Sequence, residues 1–175
     1  MRDTDKKIQE IIRVNHAGEF GAQKIYNSQI RNIKKKNLHK KLVKIAKEEQ
    51  QHFDYFNNLI IKNRVRPTAM SPLWSFFGTA LGVISSKLGE NYVHACTESV
   101  EEVIVKHYKD QLNFLKNKKI KGDLRQKIKR FCDDEDSHRK NASESALPSE
   151  SYGLTIFKKI TKVGTRLAIE ISKKI

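Results

Sequence analysis

Two Glu-x-x-His pairs, Glu49/His52 and Glu135/His138, lie far apart in the chain, each inside a stretch with helical periodicity. Glu19 stands about thirty residues before the first pair, and Glu101 stands at a similar interval before the second. Residues i and i+3 leave a helix from nearly the same side, so each pair offers a carboxylate and an imidazole to one point. No single helix can bring all six side chains together. Four helices can: one Glu from each of two, and Glu-x-x-His from each of the other two, the ligand set of a di-metal carboxylate bundle. The order Glu, then Glu-x-x-His, then the same again reads as a duplicated helical hairpin.

Helix faces select these glutamates over their neighbours. In the first expected helix, 5–34, Ile12, His16, Glu19, Ala22, Tyr26, Ile30 and Ile33 recur at three- and four-residue steps. The second, 37–63, carries Leu42, Ile45, Ala46, Glu49, His52, Phe53, Phe56, Leu59 and Ile60 on one stripe. Glu48 falls instead with Lys41, Lys44 and Tyr55, toward solvent. In the helix expected over 92–116, Val93, Thr97, Val100, Ile104, Tyr108, Gln111 and Leu115 face inward with Glu101 on their flank. Glu102 belongs with Glu98, Lys106 and Lys109. Over 123–143, Leu124, Ile128, Phe131, Glu135, His138 and Ala142 are in register. Gly18 and Gly21 flank Glu19, each weakening the helix by about 1 kcal/mol relative to alanine.

Uncompensated burial of four carboxylates costs many kcal/mol. These stripes bring no Lys or Arg beside the glutamates, so two divalent cations are the expected counter-charge. Carboxylate and imidazole donors without thiolates suit iron or manganese. Cys96 and Cys132, the only cysteines, have neither zinc-site nor disulfide-framework spacing and read as reduced packing residues. His107, six residues past Glu101 and next to Tyr108, is either a hydrogen-bond partner that orients a ligand or a partly exposed helix histidine. His16 has the same two readings, while His39 and His94 read as surface or helix-entry residues.

Two further segments remain. Residues 67–86 carry no charge, yet two prolines, two glycines and several hydroxyls make a poor membrane span. The segment, 66–90 with its flanks, is either a crossover packed on the bundle or a membrane-touching element with Trp74, Phe76 and Phe77 as anchors. Residues 152–175 form an amphipathic helix, with Leu154, Phe157, Ile160, Val163, Leu167 and Ile171 opposing Lys158, Lys159, Lys162, Arg166 and Lys173. It lies in an anionic membrane interface or covers the bundle. The net charge of +15 points to an anionic partner, lipid headgroup or nucleic acid. The charged start, 1–7, has neither a signal-peptide core nor transit-peptide character, which reads as a bacterial cytoplasmic-side protein or a processed form. The length of 175 residues suits one domain, 1–175. The expected fold is all-α: a ferritin-like four-helix bundle with an apolar crossover and a C-terminal amphipathic helix.

From about residue 8 to the C-terminus the chain resembles the demethoxyubiquinone hydroxylases of ubiquinone biosynthesis. The likeness rests on Arg13-Val-Asn-His-Ala-Gly-Glu19-Phe-Gly-Ala, Glu48-Glu-Gln-Gln-His52-Phe, Arg66-Pro-Thr, Pro72-Leu-Trp, Ala95-Cys-Thr, Val100-Glu-Glu, His107-Tyr and Asp134-Glu-Asp-Ser-His138. It implies a di-iron, O2-dependent monooxygenase, peripheral to a membrane, that hydroxylates the ring of a polyprenylated methoxy-methyl benzoquinol. The family's metal ligands map onto Glu19, Glu49, His52, Glu101, Glu135 and His138, and its supporting histidine and tyrosine onto His107 and Tyr108. One departure is Asp136-Ser-His-Arg, which replaces a more acidic, His-rich run and alters the local surface without touching a ligand. The expected setting is the cytoplasmic face of a bacterial inner membrane, with NADH or another reductant as electron source. Other ubiquinone-biosynthesis proteins or a second copy are the expected protein partners, and nucleic acid is not expected. Two rival readings remain: an iron-storing or DNA-coating ferritin-like protein, and a metal-free helical adaptor at a membrane.

Overall fold

The computed structural model describes residues 3–146 and 151–174, and among them every regular element is an α-helix. In order these are α1 (Asp3–Asn32), α2 (Lys36–Lys62), α3 (Ser71–Leu88), α4 (Glu90–Asn117), α5 (Asp123–Ser145) and α6 (Tyr152–Lys174). The architecture agrees with the all-α, ferritin-like bundle expected from the sequence. Ile175, the expected last residue of the final helix, lies outside the described residues.

Chain contacts divide the molecule into two compact units. The first, 1–93 with 167–175, is organised by α1, which packs on both α2 and α3. Ala22, Tyr26, Leu38, Leu42 and Val93 form one core cluster, and Ile12, Ile60 and Val65 another. The crossover segment is the helix α3, and it approaches α1 through small residues. A methyl group on Gly82 would stand 2.4 Å from the carbonyl oxygen of Ile25, and one on Gly78 would stand 2.8 Å from that of Gly21. At the same seam Gln29 Nε2 donates to Ser85 Oγ at 2.9 Å, both residues being fully buried. Trp74 is half-buried rather than a free anchor: its indole N–H donates to Ser172 Oγ at 3.0 Å. Phe76 and Phe77 do face outward.

The second unit, 94–166, holds most of α4, all of α5 and the start of α6. α2 and α4 stop in the same way. Arg64 (φ 51) and Lys119 (φ 55) adopt the left-handed conformation just past each helix. Val65 N–H then reaches back to Ile60 O at 3.0 Å, and Ile120 N–H to Leu115 O at 2.9 Å. These are Schellman closures that satisfy end carbonyls, and each places an apolar residue, Val65 or Ile120, after the turn.

One expectation needs correction: His94, near the start of α4, is buried and not on the surface. Along α6, Leu154, Thr161, Ile169 and Ser172 are buried, while Ile160, Val163 and Leu167 of the expected apolar stripe are exposed. Lys158 and Lys162, on the opposing face, pair with Glu98 and Glu102 of α4, each at 2.6 Å.

Candidate metal centre

All six residues selected from helix faces are buried, none more than 5 % exposed. Glu48 and Glu102, the rejected neighbours, are half-buried and paired with Lys44 and Lys162. The 3.6-residue repeat accounts for this separation. A one-residue step rotates the side chain by about 100°, out of the core and into reach of a surface lysine.

In the first unit α1 contributes Glu19 and α2 contributes Glu49 and His52. Each offers a donor atom within 4.8 Å of the others, and His52 Nδ1 lies 3.7 Å from Glu19 Oε2. That spacing brackets a volume of cation size. In the second unit α4 contributes Glu101, and α5 contributes Glu135 and His138, whose Nδ1 lies 3.0 Å from Glu135 Oε2. Each unit therefore supplies two carboxylates and one imidazole. Hard oxygen donors with borderline nitrogens fit iron or manganese, and enclosing carboxylates in a dry interior favours a cation over empty burial. The thiols are not needed for such a site: Cys132 Sγ points to the Val105 carbonyl at 3.8 Å, and burial pushes its pKa up, keeping it protonated.

The surroundings refine the ligands' setting. Asp136, adjacent to Glu135, is drawn outward by Lys140 at 2.7 Å and Arg139 at 2.8 Å, which hold its carboxyl below the usual range. It thus turns away from Glu135, and the departure in this stretch leaves the buried Glu135–His138 contact in place. His107 is half-buried, its Nε2 2.7 Å from Gln111 Nε2. The amide is the donor there, so the imidazole accepts and carries its own proton on Nδ1. Tyr108 is buried beside it in sequence.

His16, one turn before Glu19, is buried against the Phe53 ring, with ring centroids 4.9 Å apart. Burial lowers its pKa, opposed by a hydrogen bond with Asn57 and by the charge of Glu19. Asn57 was not picked out by the sequence reading, because it belongs to no apolar stripe. Its offset of four residues from Phe53 was the available signal.

The family model described as ubiquinone biosynthesis protein COQ7 matches residues 6–172. A Dictyostelium discoideum protein named NADPH-dependent 3-demethoxyubiquinone 3-hydroxylase, mitochondrial, is 39% identical over 170 residues, covering 96% of this chain and 77% of its own. The Homo sapiens protein of that name is 36% identical over 171 residues, with 96% and 78% covered. A 3-demethoxyubiquinol 3-hydroxylase of Rhodospirillum rubrum is 31% identical over 169 residues, with 96% and 78% covered. With a likeness running from end to end and the buried donors in place, the chain belongs to the ubiquinone biosynthesis protein COQ7 family.

Proposed function

We propose that the protein is a di-iron monooxygenase of ubiquinone biosynthesis, a demethoxyubiquinol hydroxylase acting on the ring of a polyprenylated 6-methoxy-3-methyl-1,4-benzoquinol. The observation that carries this reading is the near full-length likeness to proteins named for that reaction, joined to the converging donors of Glu19, Glu49 and His52 and the buried Glu101, Glu135 and His138. We assign Glu19, Glu49 and His52 of the first unit and Glu101, Glu135 and His138 of the second as the metal ligands, and read the chain as one catalytic domain, 1–175. When bound, the iron pair supplies the O2 chemistry: with two electrons from a reductant and two protons, a ring C–H becomes C–OH and the second oxygen leaves as water. The chain's own contribution is placement. Burial excludes bulk water from the donors, and the i,i+3 spacing aims each imidazole alongside its carboxylate. We assign His107, fixed by Gln111, and Tyr108 supporting roles next to the ligands. NADH or another reductant supplies the electrons; the names of the eukaryotic relatives specify NADPH for theirs.

The substrate's isoprenoid tail calls for an apolar surface. On α3, Phe76, Phe77, Ile84 and Leu88 are exposed, and no helix among the described residues is long and apolar enough to cross a membrane. These features support peripheral association, with the basic surface favouring anionic headgroups on the cytoplasmic face of a bacterial inner membrane. Other ubiquinone-biosynthesis proteins and a second copy are the protein partners this setting brings within reach.

The test is direct. Iron-loaded protein is incubated with a short-tailed demethoxyubiquinol, reductant and 18O2, and the product is weighed by mass spectrometry. One 18O atom in the ring is expected. No hydroxylated product, with two irons per chain confirmed, would overturn the reading.

A further inference from the structure

Hydrophobic patterning alone favours mounting α6 with Ile156, Ile160, Val163 and Leu167 inward. These residues recur at i, i+4, i+7 and i+11, so they form one stripe. The structure has them outward, at 38%, 66%, 52% and 57% exposure. The α4 surface explains why. Glu98 and Glu102, one turn apart, pair with Lys158 and Lys162, also one turn apart, each pair at 2.6 Å. The apolar stripe laid there would leave two carboxylates against hydrocarbon with no counter-charge, which is strongly unfavourable. Between the paired lysines and beyond them the inner face carries the small side chains Thr161, Thr165 and Ala168, buried or half-buried.

We infer that Glu98 and Glu102 set the roll of α6, and that the stripe they turn outward is a lipid-docking surface. The second half rests on the peripheral-membrane reading above. Exposed Lys159 and Arg166, one heptad apart along the edge of the stripe, match it to an anionic bilayer: hydrocarbon contact is flanked by cations. The ion pairs therefore act as positioning contacts. They are half-exposed, so they add little to stability, but reversing their charge removes the reason for the observed roll.

The test uses the full chain bearing a single added thiol, Ile160→Cys or Thr161→Cys, and a charged maleimide. Cys96 and Cys132 are both buried and give a slow background. Position 160 is expected to label about tenfold faster than position 161. In the Glu98→Lys/Glu102→Lys background the ratio should fall toward one, and adding Lys158→Glu/Lys162→Glu should restore it. That restoration separates a changed roll from simple misfolding. A ratio untouched by the double lysine variant overturns the role of Glu98 and Glu102. Sedimentation with phosphatidylglycerol–phosphatidylcholine vesicles reads the second half. Ile160→Glu/Val163→Glu should bind at least roughly tenfold more weakly than the parent, since two apolar contacts are lost. Undiminished binding, or a dimer that the substitution dissociates, overturns lipid as the occupant. No hydroxylation is measured in either arm, so these results and the enzyme assay fail independently.

Discussion

Gly82 of α3 lies tightly against α1, and a single methyl group tests that contact. A Cβ there would stand 2.4 Å from Ile25 O and 2.7 Å from Ser28 Cβ, below the 3.0 Å floor for such contacts. Both partners are α1 backbone or its first side-chain atom, so neither can swing away. For Gly82→Ala, α3 must retreat by about 0.6 Å, the difference from that floor. Overpacking of this kind costs about 1–3 kcal/mol. The retreat also pulls on the buried Gln29–Ser85 hydrogen bond, three residues along α3, whose loss adds about 1–3 kcal/mol. Alanine's better helix propensity returns about 1 kcal/mol. The expected net loss is about 1–5 kcal/mol, a Tm lower by roughly 2–20 °C for a chain of this size. Gly164→Ala on α6 is the matched control, because nothing lies within 4 Å of its Cβ position. It should raise Tm by about 2–4 °C through propensity alone. Circular dichroism melts of the two variants decide the matter. If Gly82→Ala melts at or above the parent, alongside Gly164→Ala, the close α1–α3 seam is wrong.

Three more outcomes are expected. Glu49→Gln removes a fully buried charge, so the metal-free protein should gain about 1–3 kcal/mol while losing the Tm rise that added Fe(II) or Mn(II) gives the parent. A metal-induced shift of parental size in that variant would remove Glu49 from the ligand set. Burial holds the His16 imidazole below its ordinary pKa, so between the two values the unfolded chain takes up the proton more readily than the folded one. This contribution is fully present above about pH 6.5 and is lost as pH falls through the folded-state value; urea midpoints should decline over that window, and less steeply in His16→Gln. Equal slopes would contradict the shift. Finally, Arg64→Gly and Lys119→Gly relieve left-handed backbone at the two Schellman turns and should each stabilise by about 0.5–1 kcal/mol, measured by chemical denaturation; a loss at either site would contradict the turn assignment.

The donors were legible because burying a carboxylate leaves a periodic trace. Glu49 and Glu101 sit on apolar stripes and Glu48 and Glu102 on charged ones, and the burial pattern follows that division. Their type and spacing alone set the expectation of a metal centre, and the buried Glu19, Glu49 and His52 donors could hold a metal ion. The helix-forming character of 5–34, 37–63, 92–116 and 123–143 was equally plain, as was the family likeness carried by motifs along the whole chain.

Three things depended on tertiary structure. α1 is buried on two sides, and its second face, with Val14, Ala17, Ile25, Ser28 and Gln29, packs where small residues of α3 admit it. Glycine and serine contribute no hydropathy, so their close approach is silent in any periodicity count. His94, near the start of α4 and outside its expected apolar stripe, looked like a surface or helix-entry residue, yet packing closes over it. The roll of α6 ran against its own amphipathic pattern, because Glu98 and Glu102 lie on a different helix some sixty residues earlier and exert their influence only once α4 is folded beside it. A sequence encodes how apolar each face of a helix is, and that determined the helices and the buried donors. Which face meets which neighbour depends on close contacts and charge pairs between distant segments, and those exist only after the chain has folded.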